Sequence, residues 1–155
     1  SKGVDFELKY NFNKQLFINS NLSYNRAIFN LEFDEAGLRY FYYKNRLRNQ
    51  PYFTSNTSVE YVFNKLFTTS DRASIDYNFN YTHPFYINWE SLGSANKTML
   101  PAQPLHDIGV SYTFANRRLT LSASAKNIFN IQVFDNYALQ KPGRAFYGKL
   151  TYHIQ

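Results

Sequence analysis

From Val4 onward apolar and polar residues take strict turns: Val4, Phe6, Leu8, Tyr10 and Phe12 alternate with Asp5, Glu7, Lys9, Asn11 and Asn13. Side chains of an extended chain point to opposite faces with a period of two, so this pattern makes a strand with one apolar face. A helix would spread it around every side. The alternation recurs after the tight Asn13-Lys14-Gln15 turn, where Leu16, Ile18, Leu22 and Tyr24 oppose Asn19, Asn21, Ser23 and Asn25, with Ser20 the one polar intruder. It returns from Tyr52 to Phe63 behind Pro51, and from Arg72 to Thr82, where Ala73, Ile75, Tyr77, Phe79 and Tyr81 form the apolar set. Ile108, Val110, Tyr112 and Phe114 make a fifth such face, Leu119, Leu121, Ala123 and Ala125 a sixth, and Phe146, Gly148, Leu150, Tyr152 and Ile154 a seventh.

Most of these segments run about 9 to 12 residues, longer than the usual ~5 to 6 of a globular strand and close to what a tilted strand needs to cross a bilayer. Their connections alternate in length. Those at 13–15, 64–71 and 115–118 are short, and those at 26–51, 83–105 and 127–143 are long. Short turns on one side and long loops on the other are the habit of outer-membrane barrels. No stretch approaches the ~20 apolar residues of a membrane helix, but strands that alternate leave no such run to find.

Composition decides which solvent the apolar face meets. The chain has 15 Phe, 14 Tyr and 1 Trp, so 19% of it is aromatic. Rings sit well where hydrocarbon meets water. Phe12, Phe17, Phe63, Phe67, Phe114 and Tyr152 fall at the short-turn ends, and Tyr24, Phe53, Tyr81, Phe85, Tyr86 and Phe146 at the other level, which reads as two aromatic belts. The polar face carries Asp5, Glu7, Lys9, Glu60, Arg72, Asp76, Lys126 and Lys149 among many Asn and Ser, a set suited to a hydrated lumen. The expected fold is therefore all-β, an antiparallel transmembrane β-barrel integral to a bacterial outer membrane. Seven strands would leave open edges, and bacterial single-chain barrels have even numbers, so the chain is expected to be the C-terminal part of a larger barrel.

Other classes are excluded residue by residue. With no cysteine there is no disulfide scaffold, thiolate zinc site or cysteine nucleophile. The net charge of +6 is spread over lumen, turns and loops instead of one patch, so nucleic acid is not an expected partner. No G-x-S-x-G elbow is present and the connection carboxylates Asp34, Glu35 and Asp71 have no base nearby in sequence, so no catalytic residue is assigned and no enzyme is expected. His83, His106 and His153 are scattered without metal-ligand spacing, so neither a metal site nor a resident cofactor is expected.

The residues Gly109-Val-Ser-Tyr-Thr-Phe114, Lys126-Asn-Ile-Phe-Asn130, Asp135-Asn-Tyr137 and Gln140-Lys-Pro-Gly-Arg-Ala-Phe146 resemble the end of a TonB-dependent outer-membrane receptor. Upstream, Arg48-Asn-Gln-Pro-Tyr-Phe53 with Asn56 and Tyr61-Val-Phe63, and Leu100-Pro-Ala-Gln103, are similar to earlier parts of the same family. The resemblance covers most of 45–155 and implies a barrel of about 22 strands with an N-terminal plug. Residues 1–155 would then be the last seven strands, with the plug and earlier strands elsewhere. It also implies active import of a scarce nutrient, such as a ferric siderophore, haem, cobalamin or a glycan, driven through TonB by way of the plug. The implied partners are membrane lipid, the rest of the receptor, the TonB complex and a small-molecule or metal-chelate substrate. The alternative is a small complete outer-membrane barrel with an adhesive or structural role, and a third reading is a soluble β-rich binding module.

Family barrels often end on an aromatic residue read by the assembly machinery, whereas this chain closes on Ile154 and Gln155, so Phe146, Leu150, Tyr152 and Ile154 are the expected assembly residues. For ligand, Arg39 to Arg48 is the most suggestive stretch, because rings and cations together grip an anionic aromatic molecule. Arg39, Tyr42, Tyr43 and Arg46 are candidates there, joined by His83 and Trp89 of the next long loop, with Glu90 weaker. The competing reading of that stretch is a strand extended above the membrane with a packed ring face.

Overall fold

The computed structural model describes residues 1–89, 98–114, 118–135 and 138–154. Glu90, residues 115–117 of the expected short connection, Asn136-Tyr137 of one motif and Gln155 lie outside the described residues. Seven long strands, β1 (Lys2–Phe12), β2 (Leu16–Arg26), β3 (Phe53–Asn64), β4 (Arg72–Thr82), β7 (Gln103–Thr113), β8 (Leu119–Lys126) and β9 (Ala145–Tyr152), form one sheet in that order. Every neighbouring pair is antiparallel. The short β5 (Phe85–Tyr86) and β6 (Met99–Leu100) pair with each other inside the β4–β7 connection. Among the described residues there is no helix long and apolar enough to cross a membrane.

Register carries the alternation of single strands across the whole sheet. Phe12, Leu16, Tyr61 and Ile75 follow one another on partnered positions, then Val110, Ala123 and Gly148. A slip of one residue anywhere would turn a strand's apolar set to the other face. Val4, Phe6, Leu8, Ile75, Val110, Leu121 and Leu150 are all exposed. A contiguous apolar surface of this extent is unfavourable in water and matched by lipid. The polar intruder Ser20 is satisfied on that face by its cross-strand partner, with Ser20 Oγ and Thr57 Oγ1 at 2.9 Å.

The opposite face is a polar lattice. Asn21, Asn56 and Asn80 lie in one cross-strand row, and Asn19, Ser58, Asn78 and Asp107 in the next. Asp107 also accepts from Lys126 Nζ at 3.1 Å and from the Asn127 backbone N–H at 2.8 Å. Two of the predicted belt positions are placed differently. Phe17 pairs with Asn11 and Glu60, which puts it on the polar face, because Leu16 and Ile18 occupy the apolar one. Phe85 is buried in the β5–β6 hairpin opposite Leu100, part of a small core under the loops to which Val133 also belongs.

Turn chemistry fixes the ends. Asn13 and Lys14 both take positive φ, 50° and 55°, with Gln15 N–H donating to the Phe12 carbonyl at 3.1 Å, the backbone twist that a two-residue hairpin prefers. At the 65–71 turn Asp71, 2% exposed, accepts from Phe67 N–H (2.9 Å), Thr68 N–H (3.1 Å) and Tyr112 Oη (2.8 Å). Burial pushes its carboxyl up, but these bonds and one from the Leu66 backbone outweigh that and hold it below its ordinary 3.8.

Candidate functional site

Above β2 the chain continues the hairpin logic of the sheet without forming a regular strand. Ile28 bridges Arg46, Phe29 N–H donates to the Asn45 carbonyl at 2.9 Å, and Lys44 N–H returns to the Phe29 carbonyl at 2.9 Å. Farther out Phe33 bridges Arg39, and the tip closes on Asp34, whose Oδ1 accepts from Ala36 N–H (2.9 Å) and Leu38 N–H (2.8 Å). Gly37, at φ 78°, supplies the left-handed residue that this tip needs. The 26–51 connection is thus a folded ladder of bridges, and Arg39 to Arg48 is not a continuous extended strand.

A turn at Tyr40 to Lys44 in this ladder gathers rings. Tyr43 N–H donates to the Tyr40 carbonyl, Asn45 N–H to that of Tyr42, and Lys44 takes φ 66°. Tyr40 and Tyr42 stack at 5.0 Å, and both stand edge-on to Phe29, at 5.3 and 4.7 Å. Trp89 arrives from the β4–β7 connection and lies flat on Tyr42, with centroids 4.3 Å apart and planes 9° from parallel. Arg48 reaches over the Trp89 ring at 5.9 Å, and Asn49 N–H donates to the Tyr86 carbonyl at 2.8 Å, which ties the two loops together.

The predicted ligand residues therefore separate into three groups. Tyr42 and Trp89 come together. Arg39 pairs with Glu32 at 3.2 Å and lies over the Tyr43 ring at 5.6 Å, with Lys44 Nζ on the same ring at 5.0 Å. Arg46 lies over Tyr52 at 4.5 Å, and Tyr52 Oη bonds His83 Nε2, whose Nδ1 faces Tyr81 Oη at 3.3 Å. With both ring nitrogens engaged, His83 is built into a tyrosine network. Among the described residues no group of three His, Asp or Glu is placed to hold a metal ion. Sequence reasoning missed Phe29, which lies beyond the last alternating residue of β2 and has no periodic signal. It left Tyr40 and Arg48 unranked within a stretch that it did single out.

β9 is one of the two outer strands of the described sheet, and Phe146, Leu150 and Tyr152 on it and Ile154 just after it are all exposed. The motifs leading into it hold each other. Asn127 Oδ1 accepts from Ile131 N–H (3.0 Å) and its Nδ2 donates to the Ile131 carbonyl (2.8 Å). Asn130 Oδ1 accepts from Arg144 N–H (2.9 Å), and the Arg144 guanidinium reaches the Ile128 carbonyl at 3.4 Å.

An antiparallel sheet that is apolar on one face, hydrated on the other, turned tightly at one end and looped at the other is the wall of an outer-membrane β-barrel. The chain belongs to the TonB-dependent receptor-like β-barrel family, whose model matches residues 1–128. That is a family of integral outer-membrane transport receptors and not of enzymes. Among solved structures, a variant of the ferric enterobactin receptor from Pseudomonas aeruginosa superposes with a TM-score of 0.63 at 19% identity, covering 97% of this chain and 22% of that one. The chain thus spans about a fifth of that receptor's length. No curated protein sequence matches it.

Proposed function

We propose that this chain forms the C-terminal part of the barrel of a TonB-dependent receptor that imports a scarce nutrient, and that the Tyr42–Trp89 cluster makes early contact with it outside the cell. The observation that carries the reading is the ring pair stacked 4.3 Å apart at the long-loop end, backed by Phe29 and Tyr40 and topped by Arg48. Flat π-faces beside a guanidinium favour a ligand that is both aromatic and anionic, since stacking and charge then add. A ferric siderophore with aromatic iron-binding groups has that chemistry, and the receptor of similar fold from Pseudomonas aeruginosa is named for ferric enterobactin. Energy would reach the barrel from TonB through the plug. Phe146, Leu150, Tyr152 and Ile154 would present the last strand to the assembly machinery.

The test is titration of the detergent-purified full-length receptor with a ferric catecholate, followed by quenching of protein fluorescence. Tyr42→Ala and Trp89→Ala are each expected to weaken binding about tenfold, the worth of one aromatic pair. Equal affinity in both variants and the parent would remove the cluster from the ligand path.

A further inference from the structure

We infer that the apolar, outward face of β1 and β2 carries a binding site for the phosphate headgroup of a lipid in the outer leaflet, formed by Lys2 and Arg26 with Arg46 above them. This rests on the outer-membrane reading above. Every carboxylate of the seven long strands, Asp5, Glu7, Glu60, Asp76 and Asp107, falls on the polar face. So do Lys9, Arg72, Lys126 and Lys149. The exceptions are Lys2 and Arg26, which share the apolar face with Val4 and Tyr24 and stand directly opposite one another in the β1–β2 register.

Cross-strand partners of this kind have Cβ atoms about 4.5–5.5 Å apart, and like charges so placed repel. Both side chains are exposed, and neither has an ion pair or hydrogen bond among the described residues. Arg46 extends the row, because it bridges Ile28 two positions beyond Arg26, and its guanidinium lies over Tyr52 at 4.5 Å. Tyr52 in turn stands edge-on to Tyr24 at 6.0 Å. Directly beneath lie Val4, Phe6, Leu22 and Tyr24, all exposed.

Cations above, an aromatic ledge at their level and aliphatic surface below match an amphiphile with an anionic head and acyl chains. The long-loop end of the wall stands at the level where such headgroups lie. Long basic side chains reach from a hydrocarbon-facing backbone to that layer. A phosphate between Lys2 and Arg26 turns a repelling pair into two charge-assisted bonds.

The experiment reconstitutes the full-length receptor in nanodiscs containing lipid A or its dephosphorylated form, and measures retained lipid by native mass spectrometry. The parent is expected to retain phosphorylated lipid A in preference to the dephosphorylated form. Lys2→Gln/Arg26→Gln is expected to bind it about 30-fold more weakly, as two surface cations predict, while Lys2→Arg/Arg26→Lys keeps it. Insertion of the receptor with equal retention of both lipids, or by the parent and the Gln variant alike, overturns the site alone. Failure of the receptor to enter the membrane overturns the outer-membrane reading with it.

Discussion

At the scale of single residues, polar groups that the alternation cannot explain are held by well-placed partners. Ser20 on the lipid-facing surface finds Thr57, and Asp71 in its turn finds two backbone N–H groups and Tyr112. Because the Asp71 carboxyl is held below 3.8 in the fold, its contribution to stability is present above the unfolded value and lost as pH falls through the folded one. Asp71→Asn should therefore lower the urea midpoint of the detergent-solubilised receptor at neutral pH, and the gap to the parent should close below pH 3.8. A gap unchanged with pH would assign the loss to shape and not to charge. Asp71 was legible only as a connection carboxylate. Its partner Tyr112 is far away in sequence and is brought close only when β7 pairs with β4.

At the scale of elements, the clasp between Asn130 and Arg144 gives a sharper test. A Cβ built on Gly143 would lie 2.5 Å from Asn130 Oδ1, so Gly143→Ala must displace the side chain that accepts the Arg144 N–H. The expected cost is about 1 kcal/mol, the net worth of one hydrogen bond. In an Asn130→Ala background the same substitution should cost almost nothing, and a denaturant double-mutant cycle reads the difference. Additive effects would show that the clasp is not what Gly143 protects. The strands themselves were legible because period two is imposed residue by residue. The upper part of β7, whose first residues fall within the connection expected at 83–105, was not, because Leu105 lies on the polar face and His106 on the apolar one, so no alternation marks it. There Leu105 lines a cavity with Phe85 and Val133, and His106 is held by Tyr77 at 2.6 Å. The β5–β6 hairpin, two residues a side, was too short for any period to mark.

At the scale of the whole molecule, the register of seven strands makes one continuous surface of each face, and its two outer strands, β1 and β9, remain unpaired edges. If the chain is part of a longer wall, as proposed, the denatured polypeptide from the outer membrane should have an intact mass well above 18.3 kDa. A mass of 18.3 kDa with no companion piece would instead favour a small barrel closed by self-association. The candidate ligand cluster was half visible in advance, since its tyrosines lie close together in the chain while Trp89 and Phe29 join them only through the folded loops. The rows of Asn21, Asn56, Asn80 and of Asn19, Ser58, Asn78 have a mechanical meaning of their own. Each amide both gives and takes a hydrogen bond and carries no charge, so a body sliding past trades one partner for another at nearly equal energy. In the closed barrel proposed above, such a surface would behave as a bearing, holding what fills the pore without fixing it to one position.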